Sequence, residues 1–259
     1  MATILDDIIA AKRIEVAERK VSVPFAQLER SPLFARQCLS MRASLLQSST
    51  GIIAEFKRKS PSKGWINQNA NIQQVAGDYC QYGAAGISIL TDTAFFGGTL
   101  ADLATVRPRI TCPILRKDFV IDEYQLVEAK SIGADLVLLI AAAMSAKVCR
   151  NLAHLAQQLG MDTLLEVHNT EELEHLNEYV DIAGVNNRNL KTFEVATDTS
   201  LSLASKIPAA MVKISESGIS NTPTINTLRA AGYNGFLMGE SFMKEQNPGE
   251  AFRGFCQSF

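Results

Sequence analysis

Eight short β-branched runs, each followed by a helical pattern and starting about 26 residues apart, predict a (β/α)8 TIM barrel for this chain of 259 residues. Most of the runs are apolar at consecutive positions instead of alternating, as strands of a parallel sheet covered on both faces must be. The length suits one such unit, enough to bury roughly 70–75% of the surface that the unfolded chain exposes. The rival is an open, doubly wound sheet, which wants a glycine-rich GxGxxG turn after its first strand. Here that strand runs into Lys57-Arg58-Lys59-Ser60-Pro61.

In chain order, residues 1–50 read as an N-terminal helical extension and 51–259 as the barrel, together one domain. Ile4/Leu5, Ile8/Ile9 and Val16 follow a helical stripe, with Lys12, Arg13, Glu15, Glu18 and Arg19 interleaved. That is the pattern of a helix packed on the barrel with a solvated charged face. The expected strands are Gly51–Phe56, Gly86–Leu90, Pro113–Leu115, Asp135–Ile140, Thr163–Val167, Asp181–Val185, Met211–Ile214 and Gly235–Met238. Between them, Val148, Leu152, Leu155 and Leu159 recur at helical spacing until Gly160. Asp122 before Glu123, and Asn169-Thr170 before Glu171-Glu172, are expected helix starts.

Composition excludes several classes of partner. Lys and Arg number 25 against 27 Asp and Glu, a formal charge of −2. A nucleic-acid binder would rest on a basic surplus, and none is present. The longest apolar run, Leu136 to Met144, is far short of the ~20 residues of a membrane helix. Asp6 and Asp7 open the N-terminus where a secretory signal would need an apolar stretch. Cys38, Cys80, Cys112, Cys149 and Cys256 are scattered without CxxC spacing, so buried free thiols in a reducing compartment are expected, with neither zinc nor disulfides. The chain reads as a cytoplasmic protein that binds neither nucleic acid nor membrane. Its oligomeric state is left open, with a monomer favoured.

Barrel sites are built where strands end, and burying a lone charge there is costly unless it is paired or used. The first strand ends Glu55-Phe56-Lys57, and period two puts Glu55 and Lys57 on one face with Phe56 on the other. Lys117 ends the third strand, Glu166 the fifth, Arg188 follows the sixth and Glu216 ends the seventh. These six residues are expected at one mouth, three cations and three anions that perturb one another's proton affinity. Glycines follow the last two strands, in Ser217-Gly218 and Gly239-Glu240-Ser241, where barrels often bind phosphate through backbone N–H groups. Such a phosphate would sit across the mouth from Lys57 and Ser60. Trp65 and Phe95-Phe96 either cap the barrel or wall an aromatic substrate. His154 and His175 read as exposed and structural, and His168, alternating away from Glu166, as peripheral. No cluster has metal-ligand spacing.

Ile53-Ala54-Glu55-Phe56-Lys57-Arg58-Lys59-Ser60-Pro61-Ser62 resembles the first-strand signature of indole-3-glycerol phosphate synthases. So do Leu90-Thr91-Asp92 with Phe95-Phe96-Gly97-Gly98, Leu115-Arg116-Lys117-Asp118-Phe119, Leu165-Glu166-Val167, Val185-Asn186-Asn187-Arg188 and Ser215-Glu216-Ser217-Gly218-Ile219. The ordered set spans essentially the whole chain. It implies the barrel fold and a cofactor-free, metal-free reaction on one phosphorylated small molecule. That reaction is the decarboxylating, dehydrating ring closure of 1-(2-carboxyphenylamino)-1-deoxyribulose 5-phosphate to indole-3-glycerol phosphate in tryptophan biosynthesis.

The resemblance makes Lys117 the general acid of ring closure and Glu166 the base of dehydration. Lys57 would hold the carboxylate or phosphate side of the substrate and is a second candidate acid for the last step. Glu55, Asn186 and Glu216 would orient the lysines and substrate hydroxyls, supported by Arg188. Phosphate would fall to Ser60, Ser217, Gly218 and Gly239, and Phe119, Leu138 and Leu237 would wall the anthranilate ring. Glu240, where many members carry a small hydroxyl residue, is a departure, and its side chain is expected to turn away from the phosphate. Thr99 for the common serine keeps the hydroxyl. Two other readings stand beside this one. The first is another phosphosugar barrel, either a phosphoribosylanthranilate isomerase or a lyase using Lys117 for a Schiff base. The second is a phosphate-binding barrel without turnover.

Overall fold

A computed structural model describes residues 3–259. Eight parallel strands close into a barrel: β1 (Ile52–Phe56), β2 (Gly86–Leu90), β3 (Ile114–Lys117), β4 (Leu136–Ile140), β5 (Asp162–Val167), β6 (Ile182–Asn186), β7 (Val212–Glu216) and β8 (Gly235–Met238). Each strand pairs with the next, and β8 closes on β1 with Ile53 opposite Leu237. Helices or short helical turns follow the strands and cover the outside.

Alternation along each strand separates two cores. Ile52, Ala54 and Phe56 of β1 point outward into the layer beneath the helices, as do Ile114, Val137, Leu139, Leu165, Val167, Ala183 and Val185. Ile53, Leu115, Leu138, Leu164, Ile182, Ile214 and Leu237 point inward and fill the barrel. The inward set continues at the carboxyl ends into Glu55, Lys117, Glu166, Asn186 and Glu216, so period two alone delivers these side chains to the mouth.

Three strands run further than an apolar pattern suggests. β3 reaches Lys117, β6 Asn186 and β7 Glu216, where the sequence pattern stops at Leu115, Val185 and Ile214. Charged residues count against a strand on apolar pattern, but here they keep the ladder, with Asn186 opposite Glu216 and Lys117 opposite Leu90. Asp122 caps the helix Glu123–Ser131 as expected from its position. After Asn169-Thr170 only a 3-10 turn, Glu171–His175, forms. It stops because His175 is drawn inward, with Nε2 2.9 Å from the Met144 carbonyl, while Asn177 donates to the His175 carbonyl. His175 is therefore buried, against the expectation of an exposed residue. His154 is exposed and stacks on Tyr179 at 4.4 Å. Of the five cysteines only Cys149 is buried; the others are half-buried and pack against the edge of the core.

The extension wraps both ends of the barrel. Its first helix, Ile4–Ser22, starts with a capping box between Thr3 and Asp6, carries acids in its first turn and ends on Arg19 and Lys20. The helix Met41–Gln47 plugs the floor, burying Met41 and Leu45 against the inward residues. Lys12 is not on a solvated face. It is 1% exposed and lies 3.0 Å from both Asp92 and Asp118, because it shares the helix stripe of Leu5, Ile8 and Val16. Asp118 also pairs with Arg116, which pairs with Glu128, which in turn holds Arg19. Burial of charge is tolerated here because every ion has a partner. No helix among the described residues is long and apolar enough to cross a membrane.

Candidate active site

The cavity at the carboxyl ends of the strands collects Glu55, Lys57, Lys117, Glu166, Asn186, Arg188 and Glu216, together with Phe119, Leu138, Leu237, Ser60 and Ser217. A smaller adjoining cavity is lined by Ser217, Gly218, Gly239, Glu240 and Ser241. Glu55, Lys57 and Arg188 line both and so stand at their junction.

Lys117 lies between two carboxylates, 3.4 Å from Glu166 and 3.7 Å from Glu216. Burial alone would push its proton off, but Glu166, Glu216 and Glu55 outweigh that and hold the ammonium well above the ordinary lysine range. Lys57 Nζ is 2.7 Å from Glu55, whose other oxygen lies 3.4 Å from Ser88. Burial raises the proton affinity of Glu55, and the two lysines bring it below the usual carboxylate value. For Glu166, burial is likewise outweighed by Lys117 and by His168, so it stays ionised. Glu216 goes the other way. Burial and its acidic neighbours push it up to about 8, and its Oε1 has no hydrogen-bond partner among the described residues. One mouth thus holds two carboxyl groups whose proton affinities are pushed in opposite directions on either side of one ammonium, the arrangement from which acid and base roles are drawn.

Asn186 donates to Glu166 Oε1 at 3.1 Å and accepts the Arg188 backbone N–H at 3.0 Å. The Arg188 guanidinium donates to the Phe193 carbonyl at 3.3 Å, and it forms no ion pair among the described residues. One wall is apolar: Phe119 lies 5.9 Å from Phe96, and Leu138 and Leu237 close the bottom. Ile4, Leu5 and Ile8 of the first helix complete that wall. Trp65 remains half exposed and does not line the cavity.

The smaller cavity is a tight backbone turn. Ser217 and Gly218 both adopt left-handed conformations, φ 67° and 75°, which cost a non-glycine residue of order 1–3 kcal/mol. Asn187, buried, holds the turn by donating to the Ser217 carbonyl at 3.0 Å. Gly239 is required by space, since a Cβ there would lie 2.8 Å from that of Glu55. Ser241 Oγ is buried without a partner among the described residues. The Glu240 carboxylate is 3.8 Å from Lys63 at the exposed rim. Ser60 shares the larger cavity with Ser217 but does not line the smaller one with Gly218 and Gly239.

Sequence reasoning missed three contributors. His168 is not peripheral: its Nε2 lies 3.2 Å from Glu166 Oε1. Alternation fails for it because β5 ends at Val167 and Glu172 turns the imidazole back, with Nδ1 at 3.1 Å. Asn187 and the first helix were missed because only the closed barrel shows what they face. Ser241 lies in the glycine segment expected to bind phosphate, but its hydroxyl had no role assigned from the sequence. Among the described residues, no group of three or more His, Cys, Asp or Glu side chains is arranged to hold a metal ion.

The sequence model of indole-3-glycerol phosphate synthase matches residues 5–255. The chain belongs to the indole-3-glycerol phosphate synthase family. As a member it is a carboxy-lyase of tryptophan biosynthesis. It is 48% identical over 258 residues to the indole-3-glycerol phosphate synthase of Bacteroides thetaiotaomicron, covering 100% of this chain and 99% of the relative. It is 42% identical over 254 residues to that of Burkholderia cenocepacia, covering 96% and 97%. Two solved structures are similar in fold. One, described as native KDPGal, has a TM-score of 0.58 at 13% identity and covers 82% of this chain and 94% of that one. The other, from the tryptophan synthase a2b2 complex of Pyrococcus furiosus, has a TM-score of 0.59 at 14% identity, with 80% and 96% covered. At those identities the likeness speaks for the fold of the synthase alone.

Proposed function

We propose that Lys117, Glu166 and Lys57 carry the three proton transfers of the synthase reaction, with the phosphate in the cradle of Ser217, Gly218, Gly239 and Ser241. The single observation that carries this reading is the placement of Lys117 Nζ between Glu166 and Glu216, 3.4 and 3.7 Å away, beside an apolar wall. The anthranilate ring lies against Phe119, Leu138 and Leu237. The ring carbon bearing the carboxylate bonds to the ribulose C2′ carbonyl carbon, and the carbonyl oxygen takes the Lys117 proton as charge develops on it. The bond to CO2 then breaks, and its electron pair restores the aromatic ring. Finally a proton leaves C1′ for Glu166 while the C2′ hydroxyl departs as water with a proton from Lys57, because Lys117 has already given its own. Two protons are donated and one accepted, and the Glu166 proton returns to Lys117 across 3.4 Å. One proton is therefore taken up from solvent per turnover, matching loss of the carboxylate as CO2.

With the proton on Glu216, the three cations Lys57, Lys117 and Arg188 exceed the anions Glu55 and Glu166 by one, less than a carboxylate and a phosphate bring, so the cradle must supply neutral donors. Ser217, the Ser241 hydroxyl, which has no partner among the described residues, and the backbone there do so. Arg188, without an ion pair among the described residues, and Lys57 at the cavity junction meet the anionic ends. The high proton affinity of Lys117 argues against a Schiff-base lyase, which needs a neutral amine.

The test is indole-3-glycerol phosphate fluorescence on the purified protein. Lys117→Ala and Glu166→Gln are expected to lose about 10²–10⁴ in kcat while still binding the phosphorylated substrate. Normal product formation by either variant would overturn the role assigned to it. A borohydride-trapped adduct at Lys117 would replace this reading with the Schiff-base one.

A further inference from the structure

Lys117 stands almost evenly between Glu166 and Glu216, and burial does not tell these two carboxyls apart, at 3% and 2% exposure. Their far sides do. Glu166 Oε1 meets Asn186 and His168, whereas Glu216 Oε1 meets no partner among the described residues. His168 is itself fixed. Glu172 Oε2 lies 3.1 Å from its Nδ1 and accepts its backbone N–H at 2.8 Å, and Asn169 donates to Glu172 Oε1 at 2.8 Å. The imidazole is therefore clamped between two carboxylates. Its Nε2 is close to Glu166 but out of line for a hydrogen bond, so the contact is one of charge.

We propose that His168, clamped as a cation between Glu172 and Glu166, is a positioning residue that breaks the symmetry around Lys117, keeping Glu166 the ionised base and leaving the proton on Glu216. The proposal rests on Glu166 being the base, as assigned above. A cation beside a base lowers its proton affinity, but Lys117 contributes most of that effect. Once Lys117 has handed over its proton, its pull disappears and Glu166 becomes a stronger base at the stage that uses it. The direction of the proton affinities agrees. Burial opposes charge on His168, yet the two carboxylates raise it to about 10, and Glu216 stands at about 8.

Other charges face this group. Lys117 of β3 and Glu216 of β7 face Glu166, and Glu55 of β1 acts on both of them. Across a side cavity that His168 and Glu172 line, Asp6 of the first helix and Arg188, Lys191 and Glu194 of the loop after β6 face the imidazole. Among the described residues, Glu166 and Glu172 are the only carboxylates within ion-pair distance of the imidazole.

Two measurements test this on the full chain. Nitrogen-15 NMR of the unaltered protein is expected to show both ring nitrogens of His168 protonated at pH 8; a neutral imidazole there would overturn the proposal whatever the rates show. In kinetics, His168→Gln is expected to lower kcat by about 10-fold or more with KM within twofold, and to move the acid limb of the kcat profile upward by about one pH unit. Removing the cation raises the pH at which Glu166 ionises, which sets that sign. Glu172→Gln is expected to shift the limb the same way by less, and added imidazole to restore rate to His168→Ala. A His168→Gln profile superimposed on that of the unaltered protein would overturn the proposal. Normal turnover by Glu166→Gln would instead remove the base assignment, and it is separable because the charge on His168 is read without turnover.

Discussion

Lys12→Met tests whether the buried charge cluster holds the first helix to the barrel. The substitution keeps an unbranched side chain of similar length and removes only the ammonium, which lies 3.0 Å from Asp92 and 3.0 Å from Asp118. All three side chains are nearly inaccessible to solvent. Removing one partner of a buried pair costs about 3–5 kcal/mol, because the other charge is left uncompensated. Here the lower end applies. Asp118 keeps Arg116 and the Thr91 hydroxyl, and Asp92 keeps the backbone N–H groups of Phe95 and Phe96. The expected loss is therefore about 3 kcal/mol at pH 7, a fall in Tm of roughly 6–12 °C for a chain of this size.

The pH dependence carries a sign. Asp118 is held well below the ordinary carboxylate range; burial opposes this, and Arg116 and Lys12 override it. Its contribution is present above the unfolded value and lost as pH falls through the folded one. The Lys12 proton is held above the ordinary lysine value, so its contribution is full below about pH 10.5. The gap between the two proteins should thus be flat from pH 6 to 9 and shrink toward pH 3. Urea unfolding followed by circular dichroism measures both. A loss below 1 kcal/mol at pH 7, or a gap that widens in acid, would refute the reasoning.

Three further outcomes follow from the mouth. Gly239→Ala places a methyl 2.8 Å from Glu55 Cβ, so kcat/KM is expected to fall at least 10-fold through displaced Glu55 and Lys57, with the first loss seen in substrate titrations. Ser217→Gly relieves a left-handed φ of 67° and is expected to raise stability by about 1 kcal/mol while raising KM through the lost hydroxyl. Calorimetry showing destabilisation would contradict it. Glu216 rises from 4.5 to about 8 on folding, so the folded state binds the extra proton and stability from this group declines as pH climbs between those values. Glu216→Gln should flatten that decline in melts at pH 5 and pH 8, and an unchanged slope would count against a protonated Glu216.

The sequence by itself determined the architecture and most of the mouth. Parallel strands buried on both faces need consecutive apolar residues, and period two then sends Glu55, Lys117, Glu166 and Glu216 to one end, so these positions are local consequences of the chain. Local rules stop where the strand stops. His168 lies one residue past β5, and only the Glu172 turn returns it to Glu166. Lys12 reads as a surface charge until Asp92 and Asp118, from loops about 80 and 106 residues away, are folded against it. Which carboxyl beside Lys117 is ionised is likewise absent from the sequence pattern, since Glu166 and Glu216 both end strands. Tertiary structure decided it: proton affinity depends on burial and on partners brought in from other strands, and those exist only once the barrel has closed.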